Sequence, residues 1–236
     1  MNVILNKKIK NPTIIEAFPG IGLIGSITTE YLISHLDCEE VGQIIIDKLV
    51  PIVAVHEGRL IKPVSLYYNK KNNLLIIHTI SSVKGIEWEL GEAVFEIIKK
   101  TQPKQIISLD GIGSVEKDKK DNRVFYYVNS KRLDSVLAKI GLVPLKESII
   151  LGVTATIMSR IDKKFIGLFA ETSIDLPDSR AAAKIIKALD SYLGLDVNYK
   201  PLIKKAEMFE NNLKDIMDKG KDLVDLQENK QINYFG

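Results

Sequence analysis

The chain has 236 residues, of which 45% are hydrophobic and 27% are charged, and its formal net charge is +3. This length and apolar content suffice for one sizeable core, and no basic block gives the charge footprint of a nucleic-acid-binding protein. A single cysteine, Cys38, excludes an intramolecular disulfide and a cysteine metal cluster. The N-terminus is polar and no apolar run approaches the roughly 20 residues of a membrane span, which predicts a cytoplasmic protein without membrane contact.

Strands and helices are predicted in alternation through the first half of the chain. Short apolar runs predict strands over residues 13–18, 41–46, 52–55, 66–68 and 74–77, with a polar hairpin turn between the last two. A glycine-rich segment opens a helix that continues to about residue 36. Apolar residues at helical spacing predict a second helix over residues 85–100, before Pro103.

The second half continues this alternation. Strands are predicted over residues 105–109, 124–128, 149–152 and 165–170, and helices over residues 130–140 and 153–161. Asp178 or Ser179 can cap a further helix that ends at Gly194. The alternation predicts an α/β core domain over residues 1–200, with a mainly parallel sheet and helices on both faces.

Residues 201–236 have a different character and are predicted to form an amphipathic helix followed by a flexible tail. Apolar or small residues recur at alternating steps of four and three, the seam of a heptad repeat: Leu202, Ala206, Phe209, Leu213, Ile216, Gly220 and Leu223. Such a helix either packs on its own core or stands off the body to pair with another copy or a partner. Residues 227–231 form a polar spacer behind it.

The segment Gly20–Gly25 matches the G-x-G-x-x-G pattern of a dinucleotide-binding loop. It follows a strand and opens a helix, and Asp47 ends the next strand. Against that function, Glu16 interrupts a strand that should be apolar on both faces, and Pro19 stiffens the turn. The chain after Asp47 also continues as strands instead of the helix that the dinucleotide fold requires. We therefore interpret the glycines as packing residues, and retain a nucleotide- or sugar-phosphate-binding enzyme as the alternative.

Few residues favour catalysis. The chain has three histidines, His35, His56 and His78. They lack the spacing of metal ligands, so they are interpreted as surface or satisfied core residues. Acidic neighbours should raise the pKa of Cys38 and weaken it as a nucleophile. Asp110 and Glu171 follow strands, where α/β proteins place functional groups, but each could equally cap a helix or bond to loop amides.

Three separated segments resemble the proteasome assembly chaperone 2 family, in its archaeal branch. The first is the glycine signature at residues 18–26, proline included, and the second is Ile-Ser-Leu-Asp-Gly at residues 107–111. The third begins at residues 152–155 and continues through residues 169–172 to residues 177–182. Because their order and spacing agree over about residues 13–200, the family is identified from the set and not from any one motif.

The resemblance implies a three-layer α/β sandwich, assembly into a homo-oligomer, no enzymatic activity and no cofactor. It also implies a partner, the α-subunit ring of the 20S proteasome. Members can end in a hydrophobic residue, tyrosine and any residue, which insert between α-subunits. Here the predicted ring-binding residues are Ile232, Tyr234, Phe235 and Gly236, and phenylalanine stands where tyrosine is expected.

The composition of the tail agrees with a docking role. Two aromatic side chains behind a polar spacer have no obvious core to join, and an aromatic anchor with a terminal carboxylate is a known mode of peptide capture. The other interpretation is that Tyr234 and Phe235 pack on their own body or on a neighbouring subunit. The resulting hypothesis is a scaffold that holds assembling α-subunits together or opens the gate of the finished particle. A plain oligomeric interaction protein with another client is a third possibility.

Overall fold

The computed structural model describes residues 1–49, 51–56, 58–113, 123–172, 177–204 and 206. Its strands are β1 Asn2–Leu5, β2 Thr13–Glu16, β3 Cys38–Ile45, β4 Ala54–His56, β5 Arg59–Ile61, β6 Val64–Asn69, β7 Leu74–Thr79, β8 Gln105–Gly113, β9 Val124–Val128, β10 Val143–Pro144 and β11 Phe165–Thr172. Its helices are α1 Ile24–His35, α2 Glu87–Thr101, α3 Lys131–Lys139, α4 Gly152–Met158 and α5 Ser179–Leu193, with a 3₁₀ turn at Ile21–Leu23 before α1.

Nine of these strands form one twisted sheet in the order β1-β3-β6-β7-β2-β8-β11-β9-β10. The four central strands, from β7 to β11 in this order, are parallel to one another. The strands β1, β3 and β6 extend the sheet in antiparallel fashion on one side, and β9 pairs antiparallel with β11 on the other. The parallel centre is buried on both faces, as the continuous apolar runs of β2 and β7 require.

Alternation along the central strands divides the core into two layers. Ile15 and Ile107 pack on one face, in a cluster with side chains of α1, α3 and α5. Their neighbours Ile14 and Ile106 pack on the opposite face, in a cluster with side chains of α2 and α4. Because successive strand residues point to opposite faces, each central strand contributes to both layers. The predicted α/β fold, a three-layer sandwich around a large sheet, is confirmed.

The strand predicted over residues 149–152 is wrong. This segment pairs with no described strand; Ile149 is 84% exposed and Leu151 is 73% exposed. Gly152, at a φ of +76°, instead begins α4. The three apolar residues at positions 149–151 fit the pattern of a buried strand, but here they are not buried in the sheet. The short strands β1, β5 and β10 were not predicted at all, and β8 extends four residues further than expected.

The last turn of α5 and the chain after it lie at the amino ends of the parallel strands. The Tyr192 hydroxyl donates to the side chain of Gln105, the first residue of β8, over 2.7 Å. The Tyr31 hydroxyl, near the end of α1, donates to the carbonyl of Asn198 over 2.6 Å. Residues 200–204 and 206 are helical, and Leu202 is buried in the core on the α1 and α5 face. In the described part of the chain, no helix has the length and apolarity needed to cross a membrane.

Candidate functional site

A cavity of about 330 Å³ opens at the carboxyl ends of the parallel strands. Four segments form it: the loop from β2 to α1, the loop from β7 to α2, the end of β8 and the segment that enters α4. Most of its wall is apolar, and Asp110 and Thr154 contribute polar groups: the lining includes Phe18, Ile21, Val83, Asp110, Ile150 and Thr154. Ligands of open α/β sheets bind at this edge, so the cavity is the natural candidate for a small-molecule site.

Two acids on neighbouring strands interact at this edge of the sheet: Asp110 lines the cavity, and Glu16 is buried outside its lining. Glu16 ends β2 and is fully buried; it accepts a hydrogen bond from the Ser108 hydroxyl on β8, and its Oε2 has no hydrogen-bond partner among the residues that the structure describes. The pKa of Glu16 is raised to about 8, mainly by burial and to a smaller extent by the charge of Asp110, against the hydrogen bond from Ser108. Burial also raises the pKa of Asp110 to about 6, against hydrogen bonds from the Gly111 amide and the Thr154 hydroxyl. At neutral pH the deeper acid is therefore mainly protonated and the outer one mainly ionised.

The glycines of the Gly20–Gly25 segment are in contact with protein atoms. A Cβ on Gly20 would lie 2.5 Å from Asp110 Oδ1, and a Cβ on Gly25 would lie 2.6 Å from the Leu109 carbonyl oxygen. Gly22 has a φ of +66°, and its carbonyl accepts a hydrogen bond from the Asp178 amide over 2.9 Å. The packing interpretation is confirmed. A phosphate at this loop would meet the Asp110 carboxylate, so the geometry disfavours the nucleotide- or sugar-phosphate-binding alternative.

The site residues predicted from the sequence include neither Ser108 nor Thr154, and Glu16 stands out there only as an obstacle to a dinucleotide fold. An acid inside an apolar strand is itself a signal of a buried polar group that needs a partner. Ser108 and Asp110 are two residues apart on β8, so they point to the same face, and Ser108 pairs in register with Glu16. With the strand order known, these three residues could have been grouped from the sequence.

The other candidate residues have structural roles. His78 is buried, with Nδ1 lying 2.9 Å from the Thr29 hydroxyl and Nε2 lying 3.0 Å from Glu30. The ring of His35 stacks on Tyr31. Glu171 holds Arg123 through two hydrogen bonds of 3.0 and 3.1 Å.

The described part of the protein contains neither a reactive cysteine nor a cluster of metal-binding side chains. Burial raises the pKa of Cys38 to about 12, with Asp37 a smaller cause, so the predicted loss of nucleophilicity is confirmed with a different leading reason. Of the described residues, no three His, Cys, Asp or Glu side chains cluster closely enough to hold a metal ion.

The predicted partner helix begins on the body. Leu202 and Ala206 are 5% and 6% exposed, and Leu202 packs beside Leu195 and Val197. The first turn of the heptad seam therefore contacts its own core. The remaining residues predicted for the partner helix and for the ring contact lie outside the described residues: Phe209, Leu213, Ile216, Leu223, Ile232, Tyr234, Phe235 and Gly236.

Known proteins match nearly the whole chain. The sequence profile of the PAC2 family matches residues 14–217. An uncharacterized protein of Methanocaldococcus jannaschii is 32% identical over 210 residues, which are 88% of this chain and 86% of that protein.

Solved structures share the fold over similar lengths. Pyrococcus furiosus PbaA, described as an archaeal homologue of proteasome-assembly chaperone, superposes in its monoclinic form with a TM-score of 0.84 at 30% identity, covering 97% of this chain and 96% of PbaA. Pyrococcus furiosus PbaB, described as an archaeal proteasome activator, gives a TM-score of 0.77 at 19% identity, over 92% of this chain and 98% of PbaB. At that identity PbaB is similar in fold alone.

Proposed function

The chain belongs to the PAC2 family, and from this we infer that it serves the proteasome as a non-enzymatic protein. The observation that carries this inference is the likeness to PbaA, which extends over more than nine-tenths of both chains at 30% identity. PbaA is a homologue of a proteasome-assembly chaperone, and we extend that role to this chain. The protein then acts in the cytoplasm on 20S proteasome α-subunits, as an assembly chaperone or an activator-like scaffold.

The proposed contact with the α-ring is the C-terminal tail. Tyr234 and Phe235 supply an aromatic anchor, and the terminal carboxylate of Gly236 supplies a charge for capture between adjacent subunits. Ile232 adds an apolar side chain two residues before Tyr234. Phenylalanine at position 235 gives up the hydrogen bond of a tyrosine hydroxyl, which is worth roughly 0.5–1.5 kcal/mol.

Residues 201–236 are proposed to link the body to that contact. Leu202 is held in the core of the α/β domain, which anchors the beginning of the helix. We assign the later seam positions, Phe209, Leu213, Ile216 and Leu223, to pairing between copies or with a partner. A homo-oligomer built in this way presents several tails to one ring.

The site at the sheet edge supports the non-enzymatic assignment. Its glycine loop is filled by the protein's own atoms, and its acids hydrogen-bond to neighbouring Ser, Thr and backbone groups. The two acids interact with each other, and neither contacts a histidine among the described residues.

The test is a pull-down of isolated α-subunits and of 20S particles with the full-length chain and with a chain that ends at Asn233. The full-length protein should retain both, and the truncated protein should retain neither while keeping its oligomeric state in gel filtration. Retention by the truncated protein would exclude the tail mechanism. A length-matched control, Phe235→Tyr, restores the expected hydroxyl and should strengthen binding by about 2- to 10-fold.

Peptide hydrolysis by finished 20S particles separates the two roles. A gate-opening activator increases hydrolysis in proportion to bound tails, whereas an assembly chaperone leaves it unchanged and accelerates ring formation from free α-subunits.

A further inference from the structure

We propose that the cavity at the carboxyl edge of the sheet binds a small organic cation, an ammonium group on an apolar chain, with the Asp110 carboxylate as its counter-ion. This function is separate from the proposed proteasome contact, because the cavity lies in the α/β body and uses no residue of the tail. The inference combines the shape of the cavity, the charge in its wall and the apolar surface around its mouth.

The dimensions and walls suit a small amphiphile. A volume of about 330 Å³ lies at the lower end of the range for ligand pockets. Phe18, Ile21 and Val83 form apolar wall, and Ile149 and Leu151 extend it into solvent, 84% and 73% exposed. Exposed aliphatic side chains grouped at the mouth of a cavity mark a surface that a ligand's hydrocarbon can cover.

The charge in the wall selects the sign of the ligand. Asp110 is held by the Gly111 amide and the Thr154 hydroxyl, and it forms no salt bridge with any Lys, Arg or His in the part of the chain that the structure describes. A buried carboxylate that has no cationic partner among the described residues costs free energy that a cationic ligand would offset. A carboxylate or phosphate ligand would instead add repulsion.

A second, deeper group lies on the same side of the sheet. Glu16 lies on the same face of β2 as Ile14, and Phe18 follows on that face. This face packs in the layer that contains α2 and α4, and alternation along β8 places Asp110 on the same face of the sheet. The Oε2 of Glu16 is fully buried and has no hydrogen-bond partner among the described residues. Glu16 does not line the cavity, but it interacts with Asp110, whose charge contributes to raising the pKa of Glu16.

The other charged groups at the cavity leave this assignment in place. Lys84 and Glu87 line it from the segment that opens α2, and Lys84 is exposed. Glu87 accepts a hydrogen bond from the Gly85 amide over 2.9 Å. The segment before α4 contributes Ser148 and no charged side chain to the lining.

The experiment titrates the full-length protein, labelled at isoleucine δ1 methyls, with three probes of equal length: n-hexylamine, n-hexanol and sodium hexanoate. At about pH 7 the amine is cationic and Asp110 is mainly ionised. Hexylamine should shift the methyl resonances of Ile21 and Ile150, which line the cavity, and leave Ile185 in the opposite layer unchanged. Hexanol should bind at least about tenfold more weakly, and hexanoate should not bind. Equal binding by hexanoate, or shifts only outside the cavity, would overturn the proposal.

Asp110→Asn tests the counter-ion while keeping the side chain's size. The variant should weaken hexylamine binding at least about tenfold and change hexanol binding less than about twofold. Asp162→Asn, at an exposed position, should change neither. If Asp110→Asn fails to fold, the same titration of the unmodified protein at different pH values tests the counter-ion. Its affinity for hexylamine should fall about tenfold from about pH 7 to about pH 5 as Asp110 gains a proton, and its affinity for hexanol should not change. A hexylamine affinity that does not change with pH, or that is the same in Asp110→Asn as in the unmodified protein, would contradict the proposal.

Discussion

Glu16 shows how one residue can make the stability of a whole domain depend on pH. Its carboxyl group is fully buried, and burial raises its pKa to about 8. In the unfolded chain the same group titrates near its ordinary value of about 4.5. Between these values the folded protein holds a proton that the unfolded chain has released. Stability contributed by this group is therefore full below the unfolded pKa and is lost as pH rises through the folded pKa.

Glu16→Gln should remove this dependence. The free energy of unfolding of the unmodified protein should fall by on the order of a few kcal/mol between about pH 6 and about pH 8, above the pKa of Asp110, and that of the variant should stay nearly level over the same range. Glutamine keeps a group that can bond to Ser108 and carries no proton to lose. Urea unfolding midpoints at a series of pH values measure the effect.

Glu147→Gln, at an exposed position, is the matched control and should keep the slope of the unmodified protein. Asp110 also makes the free energy of unfolding fall as pH rises, but at lower pH than Glu16, and it is present in all three proteins. A slope that persists in Glu16→Gln would show that another group carries it.

At the scale of elements, the contact between α1 and the sheet depends on the absence of a side chain at Gly25. A Cβ on Gly25 would approach the Leu109 carbonyl oxygen to 2.6 Å and the Ala17 Cβ to 2.8 Å. Both obstacles are fixed parts of central strands or of the turn that follows one, so the helix itself would have to move. The distance between α1 and the sheet is therefore set at Gly25.

Gly25→Ala is expected to destabilise the protein by about 1–3 kcal/mol, the usual cost of overpacking a core. Gly113→Ala is the control, because a Cβ there meets nothing within 4 Å and its φ is not positive; its effect should stay within about 0.5 kcal/mol. Thermal and urea unfolding of both variants measure the difference. Equal stabilities would mean that α1 can shift without cost.

Elements in which the apolar pattern repeats several times were predictable from the sequence, and short or exposed elements were not. The helix predicted over residues 85–100 is α2, Glu87–Thr101, because its apolar stripe repeats over four turns. The cap at Asp178 is also confirmed, with its side chain accepting from the Ala181 amide over 2.8 Å. Strand β10 has two residues and no hydrophobic pattern to reveal it. The strand prediction for residues 149–152 failed because their apolar side chains form the rim of a cavity. A sequence pattern does not distinguish apolar residues at a rim from apolar residues in a core.

The same limit applied to the candidate site. Asp110 was singled out because it follows a strand, which is a local signal. Its grouping with Glu16, Ser108 and Thr154 depends on β2 and β8 being neighbours and on α4 crossing the same face, and these are long-range facts. Ring-binding residues at the terminus were predicted from resemblance and composition, and they remain predictions.

For the whole molecule, the proposed function links oligomer size to binding strength. One short tail of the sequence Tyr-Phe-Gly buries little surface, so its affinity for a ring should be weak. Several tails on one oligomer act at a high effective concentration, and each additional engaged tail multiplies the affinity.

A transplant of the tail tests this link. Residues 227–236 fused to the end of an unrelated monomer should bind 20S particles at least about a hundredfold more weakly than the same segment on a trimeric carrier with comparable spacing. Surface plasmon resonance on immobilised particles measures both. The trimeric carrier with a scrambled tail is the control and should not bind; equal affinities for monomer and trimer would refute a multivalent mechanism.

The contacts of Gly20, Gly22 and Gly25 also bear on how such chains change over evolutionary time. A side chain at Gly20 or Gly25 would collide with the Asp110 carboxylate or the Leu109 carbonyl, and Gly22 has a left-handed backbone, so a substitution here would disturb the turn whatever the protein binds. Descendants could acquire or abandon partners at the tail while this six-residue pattern stayed fixed. The likeness to a dinucleotide-binding loop then has a steric explanation, because both segments turn sharply from a strand into a helix.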